Sequence, residues 1–123
     1  MIAADTSSLS AFFKGESGRD IELVAQAMNG DLRLPPLVVT EMLSDPKAAA
    51  DMMETVAHFL VLPILDGYWE RAGETRRTLK IHGFKAKIGD VLIAQSCIDH
   101  DVPLITRDAD FRHLVAHCGL TLA

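Results

Sequence analysis

The sequence predicts an α/β fold in which a mostly parallel sheet of about five strands lies between two layers of helices. Short apolar segments alternate along the chain with segments whose apolar residues recur every three or four positions, as strands alternate with helices. Hydrophobic residues make up 49% and charged residues 24% of the 123 residues. This balance and this length predict one globular domain over residues 1–123.

The predicted strands are five short apolar segments, at residues 1–4, 32–34, 61–65, 102–106 and 120–122. The third contains Pro63, which has no N–H to donate to a neighbouring strand, so we expect it at an edge of the sheet. Asp45 and Asp66 are the predicted N-caps of the helices that follow them. The predicted helices cover residues 9–13, 20–28, 35–43, 48–60, 66–82, 90–100 and 110–117.

Several features narrow the class of protein. No apolar run approaches the roughly 20 residues that span a bilayer, and the first residues do not resemble a secretory signal. We therefore expect a cytoplasmic protein with no membrane partner. Cys97 lies in an apolar helix and is interpreted as a core residue. His113 and His117 are four residues apart, but no third ligand of matching type lies nearby, so we do not predict a zinc site.

Charge is distributed unevenly along the chain. The formal net charge is −5, which disfavours a surface covered in basic nucleic-acid contacts. Residues 70–87 nevertheless carry six Lys or Arg against two Glu, a local charge of +4. Such a strip can hold a phosphate backbone, although a solvated helix face is the alternative. The candidate contacts are Arg76, Arg77, Lys80, Lys85 and Lys87.

Acidic residues lie where predicted strands end and predicted helices begin. Asp5 follows the first strand and Asp108 the fourth, and α/β folds bind ligands at the carboxyl ends of parallel strands. Asp90 opens the most hydrophobic helix. Each has a structural alternative, because Asp5 can cap a helix and Asp90 can interact with a helix dipole. Asp110 is interpreted as a helix cap or as an accessory acid behind Asp108.

Glu41 is predicted on the apolar face of its helix, four residues after Leu37 and three after Val38. Burial of a carboxylate there is unfavourable unless a metal ion or a buried arginine compensates the charge. A position at the rim, with the carboxylate in water, is the alternative.

These acids together indicate a divalent metal site. Carboxylates brought to one sheet edge repel one another unless a cation joins them, and Mg²⁺ or Mn²⁺ suits an all-oxygen site. Such a site activates water and offsets charge on a phosphoryl oxygen, so phosphodiester hydrolysis is the predicted reaction. Thr6 and Thr106 are candidates for orienting the acids or the water. The four candidate catalytic and metal-binding residues are Asp5, Glu41, Asp90 and Asp108.

The whole chain resembles the PIN-domain proteins, and more closely the VapC-type toxin ribonucleases of toxin–antitoxin pairs. This resemblance implies a three-layer fold with a five-stranded parallel sheet, Mg²⁺- or Mn²⁺-dependent endoribonuclease activity on RNA, a homodimer and inhibition by a cognate antitoxin. It implies Asp5, Glu41 and Asp90 as site acids, with the fourth acid at Asp108 or Asp110. The residues that carry it are Asp5-Thr6-Ser7, Thr40-Glu41, Ile88-Gly89-Asp90-Val91-Leu92-Ile93-Ala94 and Pro103-Leu104-Ile105-Thr106-Arg107-Asp108-Ala109-Asp110-Phe111.

Other interpretations remain. A non-catalytic PIN module acting as a binding partner is the alternative, although all four acids are present. A phosphatase of the haloacid-dehalogenase type would need a second Asp two residues after Asp5, where Ser7 stands. Helices 20–28 and 48–60 are rich in Ala and Met. Met-rich faces adapt to different partners, so we expect these two helices to supply part of a dimer contact or of an antitoxin groove.

Overall fold

The computed structural model describes residues Met1–Ala123 and shows seven α-helices around a four-stranded parallel sheet, which confirms the predicted α/β class. None of the helices is both long and apolar enough to cross a lipid bilayer. A 3-10 turn at Ala109–Phe111 precedes the last helix. The strands are β1 (Ile2–Ala4), β2 (Leu32–Leu34), β3 (Leu60–Val61) and β4 (Leu104–Ile105). The helices are α1 (Thr6–Phe13), α2 (Arg19–Ala27), α3 (Pro36–Leu43), α4 (Ala50–His58), α5 (Tyr68–Ile81), α6 (Ile88–His100) and α7 (Arg112–Cys118).

The strand order β3-β2-β1-β4 creates a crevice beside β1. The chain adds β2 and β3 on one side of β1 and then returns to add β4 on the other side. Ala4 pairs with Ile105, so the segments that leave β1 and β4 emerge side by side. Reversal of strand order at such a point is where open α/β sheets bind ligands.

The prediction of a fifth strand at residues 120–122 is wrong, because this segment forms only a single β-bridge. Leu122 lies parallel to Leu104, and only two backbone hydrogen bonds join the segments: Leu104 N–H to the Thr121 carbonyl and Ala123 N–H to the Leu104 carbonyl, both 2.9 Å. The sheet therefore has four strands. The edge position predicted for the strand beside Pro63 is confirmed.

Two predicted helix caps are also wrong. Helix α5 begins at Tyr68 after Gly67, whose φ of 82° lies in the left-handed region that favours glycine, so Asp66 is not its cap. Helix α4 begins only at Ala50, and the carboxylate of Asp45 accepts a hydrogen bond from the Lys47 N–H at 2.9 Å instead. Both helices are shorter than predicted at both ends, since α4 lacks residues 48–49 and 59–60 and α5 lacks residues 66–67 and 82.

The core is continuous and includes Cys97, as predicted. Cys97 is 1% exposed, and burial raises the pKa of its thiol to about 12. Phe111, Leu34 and Leu104 are buried in the same cluster. The end of β4 and the turn that follows it are therefore anchored to the core.

A polar network fixes α6, the helix that carries Asp90, against α5. Arg71 donates from Nε and Nη2 to the two carboxylate oxygens of Asp99 at 2.9 and 2.7 Å, and Gln95 Nε2 donates to the same group at 2.9 Å. The Asp99 side chain is 4% exposed. The hydrogen bonds from Arg71 lower the pKa of this carboxyl, so the pair holds a charged group in a buried position.

We expect Arg71→Ala to lower the midpoint of thermal unfolding by about 3–5 °C at neutral pH, because Asp99 keeps only the hydrogen bond from Gln95 and solvent around the half-exposed Arg71 reduces the loss. Since the folded-state pKa of Asp99 is depressed, this stabilisation is present above the ordinary Asp pKa and lost as pH falls through the folded value. The difference from wild type should therefore shrink in acid. Arg77→Ala, on an exposed part of α5, is the control. Equal midpoints for Arg71→Ala and wild type at neutral pH would contradict the role of the network.

Candidate metal centre

Asp5 lies at the crevice, directly after β1. Its N–H donates to the Ile105 carbonyl of β4 at 3.1 Å, and the residue is 2% exposed. The carboxylate accepts hydrogen bonds from Ser7 Oγ at 2.9 and 2.8 Å, from Ser8 N–H at 3.0 Å and from Thr106 Oγ1 at 2.5 Å. Asp5 thus caps α1 and also lines the crevice, so the two alternative roles coexist in one side chain.

Burial raises the pKa of Asp5 above its ordinary value, while the hydrogen bonds from Thr106, Ser8 and Ser7 oppose the shift and the charge of Asp108 adds to it. Asp5 is consequently a rigid carboxylate in a poorly solvated position.

The segment after β4 forms a chain of hydrogen bonds leading away from Asp5. Thr106 Oγ1 accepts from the Asp108 N–H at 3.0 Å, and Asp108 Oδ1 accepts from the Asp110 N–H at 2.9 Å. The cap of the 3-10 turn is therefore Asp108, and the predicted capping role of Asp110 is wrong. Asp110 is exposed, with Oδ2 3.6 Å from Lys87 Nζ.

Asp90 completes a compact acid cluster with Asp108 and Asp110. Helix α6 begins at Ile88, two residues earlier than predicted, which puts Asp90 in its first turn. One carboxylate oxygen from each of the three acids lies within 4.8 Å of the others. Burial raises the pKa of Asp90 to about 6, and the negative charges of Asp108, Asp110 and Glu41 contribute, against the opposing charge of Lys87.

Glu41 does not occupy the predicted apolar face. Helix α3 buries Val38 and Met42, and this leaves Glu41 exposed at the rim, where Thr6 Oγ1 donates to Oε1 at 2.7 Å. The solvated alternative is the observed one, so Glu41 needs no buried cation to explain it.

The predicted acids share one cleft of about 490 Å³, termed the acidic cleft. Asp110 lines a neighbouring cavity that meets the acidic cleft at Asp90. The four predicted acids that line the acidic cleft are Asp5, Glu41, Asp90 and Asp108.

The atoms available as metal ligands in this cluster fit a hard divalent cation. They are carboxylate and hydroxyl oxygens, which suit Mg²⁺ or Mn²⁺ better than a soft metal. The histidines do not extend the cluster, because the His113 ring stacks on Phe84 with centroids 3.7 Å apart and the His117 ring lies 4.1 Å from His82. Burial is the main cause of the raised pKa of Asp90, and the repulsion from neighbouring acids that adds to it is the kind that a bound dication removes.

Comparison with known proteins assigns the family. The PIN-domain family model matches residues 2–116. The chain belongs to the PIN-domain family. The comparison with curated protein sequences gave no significant match.

Solved structures share the fold of this PIN domain. VapBC2 from Rickettsia felis, bound to a DNA fragment from its promoter, matches with a TM-score of 0.75 and 20% identity over 100% of this chain and 98% of that one. FitAcB from Neisseria gonorrhoeae matches with a TM-score of 0.69 and 15% identity over 99% and 96%. VapBC-5 from Mycobacterium tuberculosis, a member of the VapBC family of toxin–antitoxin systems, matches with a TM-score of 0.68 and 23% identity over 98% and 95%.

Arg107 lines the PIN-domain cleft, and although it lies in the segment that carries the family resemblance, no role in the site was predicted for it from the sequence. Its Nε and Nη2 donate to the two oxygens of Asp20 at 2.8 and 3.1 Å, and Nη1 donates to Glu16 at 3.2 Å. Asp20 also accepts from Ser8 Oγ at 2.9 Å, and the Arg107 hydrogen bonds lower the pKa of Asp20. The pair ties the turn after β4 to α1 and α2, although Arg107 and Asp20 lie 87 positions apart.

We expect Arg107→Met to weaken Mn²⁺ binding about tenfold, because the turn that carries Thr106 and Asp108 loses its anchor, and supporting residues of metal sites have effects of this size. Calorimetric titration measures the affinity. Arg19→Met, which removes only an exposed ion pair with Glu22, is the matched control. Unchanged Mn²⁺ affinity in a folded Arg107→Met protein would contradict the positioning role.

The predicted basic strip divides into two parts. Arg76 Nε donates to the Ala86 carbonyl at 2.9 Å, so this guanidinium holds the loop after α5. The remaining four side chains are exposed, and their contact with RNA stays a prediction: Arg77, Lys80, Lys85 and Lys87.

Proposed function

We propose that this PIN domain is a divalent-metal-dependent endoribonuclease and the toxin of a toxin–antitoxin pair. The proposal depends chiefly on one observation, the convergence of three carboxylates within 4.8 Å at the crevice beside Asp5. PIN domains are generally nucleases, and the all-oxygen cluster is suited to phosphodiester hydrolysis.

Each side chain has a distinct role in the proposed reaction. Asp90 and Asp108 would hold Mg²⁺ or Mn²⁺, which when bound polarises the phosphodiester and lowers the pKa of a water molecule. Asp5, fixed by Thr106 and its own turn, would orient this centre from the buried side. Glu41 is exposed at the opposite rim, where it would ligate the ion or orient the attacking water and receive its proton.

Asp110 has the environment of an accessory group. It is exposed and lies near Lys87, whereas Asp108 is half-buried, is held by Thr106 and lines the acidic cleft itself. We therefore propose Asp108 as the fourth site acid, with Asp110 completing the cluster on the outer side.

We propose that a cognate antitoxin occupies the groove between α1, α3 and α4. This groove of about 250 Å³ contains Met42 and Met52 and shares Thr6 and Glu41 with the acidic cleft. A segment bound there would cover the Glu41 side of the site. Helix α2, in contrast, buries Val24 and Ala27 in the core, so only α4 of the two predicted partner helices has apolar surface in this groove.

A homodimer is the proposed assembly of the chain. Large apolar side chains are exposed around the edge strand β3, and such clustering is typical of protein contacts. Light scattering of the purified chain without antitoxin tests the proposal, and a monodisperse monomer would contradict it. The exposed residues are Leu60, Val61, Ile64, Leu65 and Trp69.

The test of the proposed function combines growth and biochemistry. Induction of the chain should arrest growth, and the purified protein with Mg²⁺ should cleave RNA, whereas Asp5→Ala should do neither. An Asp5→Ala protein that still cuts RNA would contradict the assignment. Absence of Mn²⁺ binding at millimolar metal would favour the alternative, a non-catalytic PIN module.

A further inference from the structure

One face of helix α1 lines the acidic cleft along the whole length of the helix. Side chains three and four positions apart on a helix share a face, and the lining residues of α1 follow this spacing. The Lys14 N–H donates to the Ser10 carbonyl at 3.1 Å, so these two residues lie one turn apart at the C-terminal end of the face. The residues of α1 and its C-cap that line the cleft are Thr6, Ser7, Ser10, Ala11 and Lys14.

The hydroxyl groups on this face differ in whether they have a partner. Thr6 Oγ1 donates to Glu41 at 2.7 Å, and Ser7 Oγ donates to Asp5 at 2.9 and 2.8 Å. Both hydroxyls are therefore used in fixing acids of the cleft. Ser10 is half-buried in the same cleft, and its Oγ forms no hydrogen bond within the chain. This hydroxyl is free to donate to a ligand.

The two cations of the acidic cleft differ in the same way. Arg107 donates to Asp20 and to Glu16, so its guanidinium is already neutralised by two carboxylates. Lys14 is exposed and takes part in none of the ion pairs of the chain. The amine of Lys14 is consequently the one cation in the acidic cleft that is available to a ligand.

The charge of the cleft explains what such an amine is suited to bind. Five carboxylates and two cations line the acidic cleft, a formal charge of −3. A bound dication reduces this charge to −1, which still repels the phosphates of a nucleic acid. Lysine amines and serine hydroxyls are both common donors to phosphate oxygens. A phosphate held by Lys14 and Ser10 would enter the cleft where the repulsion is weakest.

The position of the pair along α1 indicates which phosphate it contacts. Lys14 follows Thr6 by eight residues, which is roughly 12 Å along the helix axis. Thr6 is the residue of α1 that is hydrogen-bonded to Glu41 beside the metal centre. Since Lys14 lies two turns away from that point, it is placed for a neighbouring phosphate rather than for the one that reacts.

We infer that Ser10 and Lys14 form a phosphate-binding pair, which contacts a phosphate of the substrate strand next to the scissile one. This inference rests on the proposed function, which puts the scissile phosphate at the metal centre, and it adds a subsite on α1. A contact away from the reacting bond is equally strong in the ground state and in the transition state. The pair therefore sets the affinity for substrate and leaves the rate of the chemical step unchanged.

The first test measures the salt dependence of RNA binding. The probe is a fluorescent single-stranded RNA pool of random sequence, about 12 nucleotides long, titrated in an Asp90→Asn background to suppress cleavage. Lys14→Met should weaken binding about fivefold at low salt and make the slope of log K against log salt less steep by about 0.7, the value for one phosphate contact. Lys14→Arg should retain the slope. A purely structural role of Lys14 would leave the slope unchanged.

Lys47→Met is the matched control, because Lys47 is exposed and lines the groove beside α4 but not the acidic cleft. It should change neither the affinity for RNA nor the slope. An unchanged slope in Lys14→Met, or an equal reduction of the slope in Lys47→Met, would overturn the subsite.

The contribution of Ser10 is tested by a double-mutant cycle with Lys14. Ser10→Ala should weaken RNA binding about threefold without changing the salt slope, because a neutral hydroxyl releases no counterion. It should have little further effect in the Lys14→Met protein, since both groups hold the same phosphate. Fully independent losses would overturn the joint contact.

Cleavage assays separate this subsite from the proposed function. Lys14→Met should raise KM about fivefold and leave kcat within about twofold. A protein that cleaves RNA with the same KM whether residue 14 is Lys or Met would retain the nuclease and defeat the subsite. A wild-type protein that cleaves no RNA, yet binds the pool with the expected dependence on Lys14, would defeat the nuclease and retain the phosphate contact.

Discussion

Asp90→Asn is expected to abolish RNA cleavage while it stabilises the metal-free protein. Cleavage should fall by at least about 10³-fold, because the amide removes a charged ligand from a centre that stabilises transition-state charge by several kcal/mol. Asn has nearly the same shape as Asp, so the substitution should preserve the packing around residue 90 in the first turn of α6. Single-turnover cleavage of RNA in Mg²⁺ measures this part of the prediction.

The stabilisation follows from the sign of the pKa shift. Burial and the neighbouring acids raise the pKa of Asp90 to about 6, so its ionised form is less favourable in the folded than in the unfolded protein. Asn should raise the free energy of unfolding at neutral pH by about 1–2 kcal/mol, since one pKa unit corresponds to about 1.4 kcal/mol and solvent access reduces the effect. Urea unfolding in the presence of a chelator measures it.

Asp51→Asn is the control for both measurements, because Asp51 is an exposed acid in the first turn of α4 and lies outside the acidic cleft. It should leave cleavage unchanged and should not stabilise the protein. Cleavage at the wild-type rate by Asp90→Asn would contradict the catalytic role. Reduced stability of the metal-free Asp90→Asn protein would contradict the electrostatic strain attributed to the cluster.

Mn²⁺ is expected to stabilise the folded protein, and the size of this stabilisation should increase as pH rises through about 6. Metal ligands must be ionised, and the pKa of Asp90 is raised to about 6, so protons compete with the ion below that value. At an ion concentration of about 100 times Kd, the stabilisation should approach about 2.7 kcal/mol. Thermal unfolding with and without Mn²⁺, between about pH 5 and pH 8, measures it.

The metal-free protein should show the opposite trend. Because the folded-state pKa of Asp90 is raised above its unfolded value, the contribution of this group to stability is full below the unfolded pKa and is lost as pH rises through about 6. Asp90→Asn should flatten both profiles, and it serves as the control. A Mn²⁺-induced stabilisation that is the same at pH 5 and pH 8 would show that the ion binds elsewhere.

The convergence of Asp5 with the segment after β4 could be predicted from the sequence. Both follow short apolar strands, and the ends of adjacent parallel strands emerge at the same sheet edge. The sequence alone did not decide whether Glu41 is buried or exposed. Its rotation about α3 depends on which neighbours pack there, and Val38 and Met42 point inward in its place.

Contacts between distant segments set the rest of the site. The Arg107–Asp20 pair joins residues 87 positions apart, and nothing in either local segment indicates that the two side chains meet. The stack of Phe84 on His113 likewise joins a loop to α7. The division of roles between Asp108 and Asp110 depends on backbone geometry, since the N–H of one residue donates to the carboxylate of the other.

The most direct test of the metal centre is an anomalous difference map from crystals of the protein grown with Mn²⁺. We predict one strong Mn²⁺ peak at the carboxyl edge of the sheet, coordinated by Asp90 and Asp108, with Asp5 and Glu41 bordering it. The same map shows whether Asp110 is also a ligand. A fully ordered acidic cleft with no Mn²⁺ peak, or a peak only at a different surface, would contradict the assignment of this cluster as the metal centre.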